Sequence, residues 1–276
     1  MDQSSQVALV TGAGRGIGRQ IALSLASAGC RVAVMARSRD ELEHTARLAG
    51  DDRSRILVVP GDMTDETSVG AVVREVHDRF GPVSLLVNNA AVYTVGEAPF
   101  WEARLDSWWE PFDTNLRGPV VCTRAVLPAM VAERGGRVIT VSSDSGVLPY
   151  PLSSYSFAKN ALVRFTETLD IALAAADTGV RAFAISPGAV HTRLTESFAD
   201  KYPDMEWTPV ELSGRLVTDL ASGRYDALHG RYLSVRDDLD RLLERIEDIE
   251  REELLVQRMR AYDATGAVVT DWEDQA

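Results

Sequence analysis

Only two lysines stand in this 276-residue chain, Lys159 and Lys201, while arginine carries nearly all the remaining positive charge. Lys159 follows Tyr155 by four residues, within "SSYSFAKNAL". On a helix that spacing places ammonium and phenol on one face. A phenol near its ordinary pKa of ~10 exchanges protons poorly at neutral pH, and a neighbouring cation favours its phenolate. The pair has the makings of an acid/base couple, although a surface tyrosine–lysine pair would have the same spacing.

A second constellation sits near the N-terminus. "TGAGRGIG", Thr11 to Gly18, lies between an apolar run and a helical pattern. Gly12, Gly16 and Gly18 allow a tight turn, a close approach of backbone to a pyrophosphate, and close packing of helix on strand; the helix start then turns free N–H groups toward the phosphates. The spacing is G-x-x-x-G-x-G, with Ile17 where G-x-G-x-x-G has its third glycine, and no Gly-Lys-Ser/Thr follows to make a nucleoside triphosphate loop. Cofactor choice is expected at the end of the second apolar run, where an acid would hold a ribose 2′-hydroxyl. Ala36 stands there instead, followed by Arg37, Ser38 and Arg39. With Arg15 inside the glycine loop, these groups suit a 2′-phosphate, so NADP(H) is expected over NAD(H).

Bringing residue 12 and residue 155 together needs a scaffold, and its elements are legible. Six nearly continuous apolar runs, 7–12, 31–36, 55–61, 83–89, 136–143 and 180–186, alternate with amphipathic stretches such as 65–80. Continuous rather than alternating apolar residues mark strands buried on both faces, as in a parallel sheet. The fold expected is α/β, a single-domain doubly wound parallel sheet with an extra C-terminal helical tail. Residues 1–236 form the dinucleotide-binding and catalytic domain, with a flap over the pocket at about 187–209, where aromatics, charges and prolines mix. A short strand is expected at 230–235. Residues 237–276 form an acidic helix and tail packed on that domain, with Asp237 as N-cap and Leu239, Leu242, Leu243, Ile246 and Ile249 at helical spacing.

In order and spacing, Thr11–Gly18, "NNAA" (88–91), Asn115, Ser143, Tyr155 with Lys159, and "PGAVHT" (187–192) resemble the short-chain dehydrogenase/reductase family over about residues 6–192. The resemblance implies a Rossmann-like fold and hydride transfer between nicotinamide and a carbonyl or alcohol carbon. It makes Tyr155 the catalytic acid/base, Lys159 its tuning cation and a ribose ligand, Ser143 the donor to the substrate carbonyl, and Asn115 the support of the lysine through a water. It puts Asp62 and Met63 beside the adenine, Asn88 and Ala90 along the adenosine ribose, and Pro187, Gly188, Val190 and Thr192 around the nicotinamide and phosphates. Alternation along the strand sends Ser142 away from Ser143. Two positions depart from the family's pattern: Ala91 replaces a usual glycine, and the usual Gly-Gly after the last strand is missing. A homo-oligomer, dimer or tetramer, is also implied.

Composition narrows the partners. A formal net charge of −12 argues against nucleic acid or an anionic membrane. No run approaches the ~18 apolar residues of a membrane span, no signal peptide is read, and Cys30 and Cys122 read as buried free thiols; a cytoplasmic protein is expected. The four histidines are scattered, so no metal is expected. The substrate expected is a small carbonyl or alcohol compound, bulky or ring-containing, because the candidate pocket residues are aromatic and apolar: Tyr93, Tyr150 and Trp207 first, with Trp101, Trp108, Val147, Leu194, Phe198 and Tyr202. Two rivals stand beside the oxidoreductase: a non-catalytic NADP(H)-binding regulator, and a lyase or epimerase using the nucleotide transiently.

Overall fold

The computed structural model describes residues 3–93, 99–149, 153–196, 204–262 and 268–269. Seven strands form one sheet: β1 (Val7–Thr11), β2 (Arg31–Ala36), β3 (Ile56–Pro60), β4 (Leu85–Asn88), β5 (Gly136–Val141), β6 (Val180–Ser186) and β7 (Tyr232–Ser234). Their order is β3-β2-β1-β4-β5-β6-β7, and every pairing is parallel. The order reverses between β1 and β4, which opens a crevice at the carboxyl ends of the strands.

Period-two alternation distributes each strand between two cores. On one face Ala8, Val10, Val32 and Val34 pack with Ile21 and Leu25 of α1 (Gly16–Ser27) and with Leu216, Val217 and Leu220 of the helix Glu211–Ala221. On the other, Val7, Leu9, Ala33 and Met35 meet Val69, Val72 and Val76 of α3 (Glu66–Phe80) and Val126 and Met130 of α5 (Gly118–Ala132). Both faces are therefore covered, which is why the strands carry continuous apolar runs. Helix α2 (Arg39–Leu48) flanks β2 and β3, and α6 (Ser154–Ala175) packs against β6. A capping box, Ser153 with Ser156, fixes where α6 begins and so where Tyr155 points.

After β7 the structure departs from the single helix expected at 237–260. Two short helices, Leu239–Glu244 and Ile246–Arg251, are separated at Arg245, whose φ of −112° breaks the helical run. Asp238 caps the first by accepting the Arg241 N–H at 3.1 Å, while the Asp237 carboxylate accepts the Ser234 N–H at 2.7 Å. Leu239 and Ile249 are 7% and 3% exposed in the first core, so the apolar stripe lies on the chain's own sheet. Glu253 and Leu255 then adopt left-handed φ values of 47° and 62°, and the Leu255 carbonyl accepts the N–H of Tyr232 on β7 at 2.9 Å.

Candidate active site

The glycine loop lies at the β1–β4 crevice. Arg15 is the N-cap of α1 and makes no side-chain capping bond, and no acid occupies the first turn, so the helix start keeps its N–H groups and positive end for an anion. Any side chain at Gly18 would collide with the Asn89 amide and the Gly12 carbonyl. That close approach is held from below: Asn89 Nδ2 donates to the Thr11 carbonyl at 2.9 Å, and Thr11 Oγ1 accepts the N–H groups of Asn89 and Ala90 at 3.0 and 3.1 Å. Thr192 closes the other side, since a Cβ at Gly16 would stand 3.2 Å from its methyl group. Asn88 is 2% exposed; its Nδ2 donates to Thr123 at 3.0 Å while its Oδ1 has no partner among the described residues. A cradle only glycine leaves open and an uncapped helix start fit a dinucleotide pyrophosphate.

Of the residues expected beside the adenosine, Arg15 and Arg37 are exposed and Ser38 and Asp62 partly so. Arg37 is exposed, and Ser38 caps α2, its hydroxyl accepting the Glu41 N–H at 3.3 Å. Arg15 is not free: its Nη1 donates to both Glu41 oxygens, at 2.8 and 3.0 Å. Asp62 turns onto its own loop and accepts the Thr64 N–H and hydroxyl at 2.9 and 2.8 Å. Those bonds, with the charge of Arg37 adding to them, hold its carboxyl below the usual range. Met63 is 6% exposed and packs on the start of α5, where a Cβ at Gly118 would lie 2.8 Å from it.

On the tyrosine side the lysine is buried, while Tyr155 and Ser143 are partly exposed. Lys159 is 2% exposed and its Nζ donates to the Val141 carbonyl at 2.7 Å, at the end of β5. Burial pushes its pKa down to about 8. Its Nζ lies 5.6 Å from the centroid of the Tyr155 ring. Burial also pushes the Tyr155 phenol up to about 12, against a hydrogen bond with Ser143 that lowers it and the neighbouring Tyr93 that raises it. The expected lowering of this phenol by Lys159 is not seen, and burial of the phenolate is the largest influence on it. Ser143 begins a one-turn 3₁₀ helix, Asp144–Gly146, and accepts from Ser145 Oγ at 3.0 Å. Ser142 points the other way and donates to the Lys159 carbonyl at 2.9 Å. Asn160 Nδ2 fixes the turn to α6 through the Gly146 carbonyl at 2.6 Å, and Tyr232 fixes it to β7 by donating to Asp144 at 2.8 Å.

Asn115 sits in a five-residue π-turn, Asp113–Arg117, between α4 (Leu105–Phe112) and α5, and is fully buried. Such insertions recur at functional sites. Both ends of its amide engage Val92: Nδ2 donates to the carbonyl and Oδ1 accepts the N–H, each at 2.8 Å. This clamp sets the loop that carries Tyr93, whose ring meets Tyr155 edge-on at 5.5 Å. In the flap, Pro187 and Val190 are buried, Gly188 lies against Thr208, and the Thr208 N–H donates to the Ala189 carbonyl at 2.7 Å. Trp207 stacks edge-on with His191 at 5.0 Å. Trp108, expected in the pocket, is core instead: it packs with Phe112 at 5.1 Å and Phe157 at 6.0 Å and joins α4 to α6. Tyr150, Phe198 and Tyr202 lie outside the described residues.

Sequence reasoning chose Asn88 and Ala90 and passed over Asn89 and Glu41. The signal for Asn89 was the strand end itself: Asn88 closes β4 facing the core, and the next residue must turn outward. Glu41 carried no local signal, since its partner is 26 residues away.

A family described as short chain dehydrogenase matches residues 6–203. The chain is similar to a short chain dehydrogenase of Emericella variicolor, 32% identical over 267 residues that cover 94% of this chain and 91% of that one. Among solved structures, a short-chain type dehydrogenase/reductase from Mycobacterium marinum superposes with a TM-score of 0.78 at 29% identity, over 84% of this chain and 94% of that one. A single-substitution variant of the actinorhodin polyketide ketoreductase, with NADPH, gives a TM-score of 0.77 at 30% identity, over 84% and 96%.

Proposed function

The chain belongs to the short-chain dehydrogenase/reductase family of NAD(P)-dependent oxidoreductases, and from that premise we propose that it is an NADP(H)-dependent ketoreductase acting on a bulky or ring-containing ketone. The observation that carries the reading is the cluster of the Ser143 hydroxyl, the Tyr155 phenol and the buried Lys159 ammonium at the carboxyl end of β5. When bound, the nicotinamide supplies the hydride; the chain supplies everything around it.

Ser143 donates a hydrogen bond to the substrate carbonyl oxygen and stabilises the charge that develops there. Tyr155 delivers its proton to the same oxygen. A phenol held near 12 is a reluctant acid, and Lys159 beneath the ring stabilises the phenolate it leaves. Lys159, held on the Val141 carbonyl, would also hold the nicotinamide ribose and so serve position and acidity together. Asn115 contributes by holding Val92, and with it the loop that presents Tyr93. Tyr93 and Trp207 supply flat apolar walls, which favours a ring-bearing substrate over a sugar. Arg37 and Arg15 provide the charge for a 2′-phosphate, and the likeness to an NADPH-bearing ketoreductase supports that preference.

The test is turnover of NADPH against a panel of cyclic and open-chain ketones, followed by nicotinamide absorbance. Consumption should require a ring-containing ketone and should disappear in Tyr155→Phe with NADPH binding retained. Undiminished turnover in that variant would sink the mechanism. Light scattering on the same sample tests the homo-oligomer we also propose.

A further inference from the structure

The second strand ends without the acid that a ribose 2′-hydroxyl would ask for, yet an acid reaches the glycine loop from the next helix. Glu41 lies in the first turn of α2, three residues after its N-cap Ser38. The Ser-x-x-Glu spacing is that of a capping box, in which the glutamate would reach back to the N-cap N–H. Here both carboxylate oxygens go to Arg15 Nη1 across the glycine loop, at 2.8 and 3.0 Å. The side chain lies directly on that loop. A Cβ at Gly14 would stand 2.9 Å from the Glu41 Cβ and 3.2 Å from Oε2, so the contact exists because residue 14 is glycine.

A second arginine tightens the arrangement. Arg19 Nε donates to the Gly14 carbonyl at 3.1 Å and to Thr45 Oγ1 at 3.2 Å, which ties the loop to α2 and keeps Arg15 and Glu41 facing each other. The pair is open to solvent, with side chains 52% and 34% exposed, so it is exchangeable rather than locked. A carboxylate accepting from a guanidinium presents a negatively charged oxygen pair, as a phosphate would.

Building on the NADP(H) reading, we propose that Glu41 is an internal stand-in for the cofactor's 2′-phosphate and thereby sets how strongly this chain prefers NADPH to NADH. In the free protein it holds the Arg15 guanidinium over the loop. To bind the 2′-phosphate, Arg15 must leave Glu41, and the released carboxylate then stands near a phosphate of like charge. Both effects weaken NADPH binding relative to what Arg15 and Arg37 alone would give. NADH has no phosphate and meets neither opposition; its 2′-hydroxyl can donate to the Glu41 carboxylate instead. Glu41 thus narrows a discrimination that the arginines create.

The experiment is equilibrium titration of NADPH and of NADH, by calorimetry or tryptophan fluorescence, with no substrate present. It uses the full chain, its Glu41→Gln and Arg15→Gln variants and the double variant. Glu41→Gln should tighten NADPH at least fivefold and leave NADH within twofold or weaker. In the Arg15→Gln background the same substitution should change NADPH by less than half as much on a logarithmic scale. Unchanged or weakened NADPH binding in Glu41→Gln, with thermal unfolding showing the variant folded, overturns the proposal; an undiminished effect without Arg15 overturns the part given to that arginine. The two readings separate cleanly. An unmodified chain that binds NADH as tightly as NADPH overturns the NADP(H) preference, while fivefold tightening in Glu41→Gln still upholds the role of Glu41.

Discussion

At the adenosine end of the site the cations stand in water, and at the tyrosine end the cation is sealed from it. Arg15 is half exposed and paired with a carboxylate it can leave. Lys159 is 2% exposed, and its bond is to a backbone carbonyl on β5. The first arrangement, on the reading proposed above, would recognise charge through competition among exchangeable partners, each worth little alone. The second shifts pKa values by burial, which raises Tyr155 and lowers Lys159. On the proposed function, chemistry falls where removal of solvent makes charge expensive and cofactor selection where it stays cheap.

Substitutions at the two ends should separate that division by size. Tyr155→Phe removes the proton donor at the tyrosine end and should lower ketone turnover by about 10²–10⁴-fold. NADPH affinity should stay within twofold, and a large loss of affinity instead would mean the tyrosine end also does the selecting. Asn115→Ala strands the N–H and carbonyl of Val92, and chemical denaturation should show a loss of about 2–4 kcal/mol.

A pH series sharpens the comparison further. Lys159 holds its proton in the unfolded chain to near 10.5 but only to about 8 when folded. Below pH 8 both states carry the proton and folding bears the cost of burying it. Between pH 8 and 10.5 the unfolded state binds more protons, so stability rises with pH. Relative to Lys159→Met, the unmodified chain should gain about 2 kcal/mol between pH 8 and 9.5 in urea titrations. A flat difference would show that the lysine is hydrated. Arg37→Asp, at the wet end, should give the smallest effect: a tenfold loss of NADPH preference, about 1.4 kcal/mol, with unfolding midpoints unchanged.

The two ends were also unequally legible. Six strands were located within about two residues, because a parallel strand buried on both faces needs an uninterrupted apolar run. Tyr155 and Lys159 were readable from spacing on one helix, and their proximity follows from α6 alone. Whatever depends on two distant segments was not. Glu41 meets Arg15 only through the fold, Asn115 meets Val92 across a loop, and Met63 packs on Gly118 rather than standing as an isolated loop residue. The break at Arg245 was hidden for another reason: apolar periodicity continues on both sides of it, so the pattern of one helix and of two short ones is nearly the same.

The carbonyl of Leu255 has a consequence beyond the tail that bears it. β7 is an outermost strand of the sheet, and an outermost strand offers unpaired N–H and C=O groups to any extended chain it meets. This one is three residues long, and the Tyr232 N–H is already taken by Leu255. The left-handed residues at 253 and 255 turn the chain so that the Leu255 carbonyl meets this rim at the Tyr232 N–H. On that side the sheet therefore presents a short edge whose Tyr232 N–H is already engaged, a poor template for a further strand.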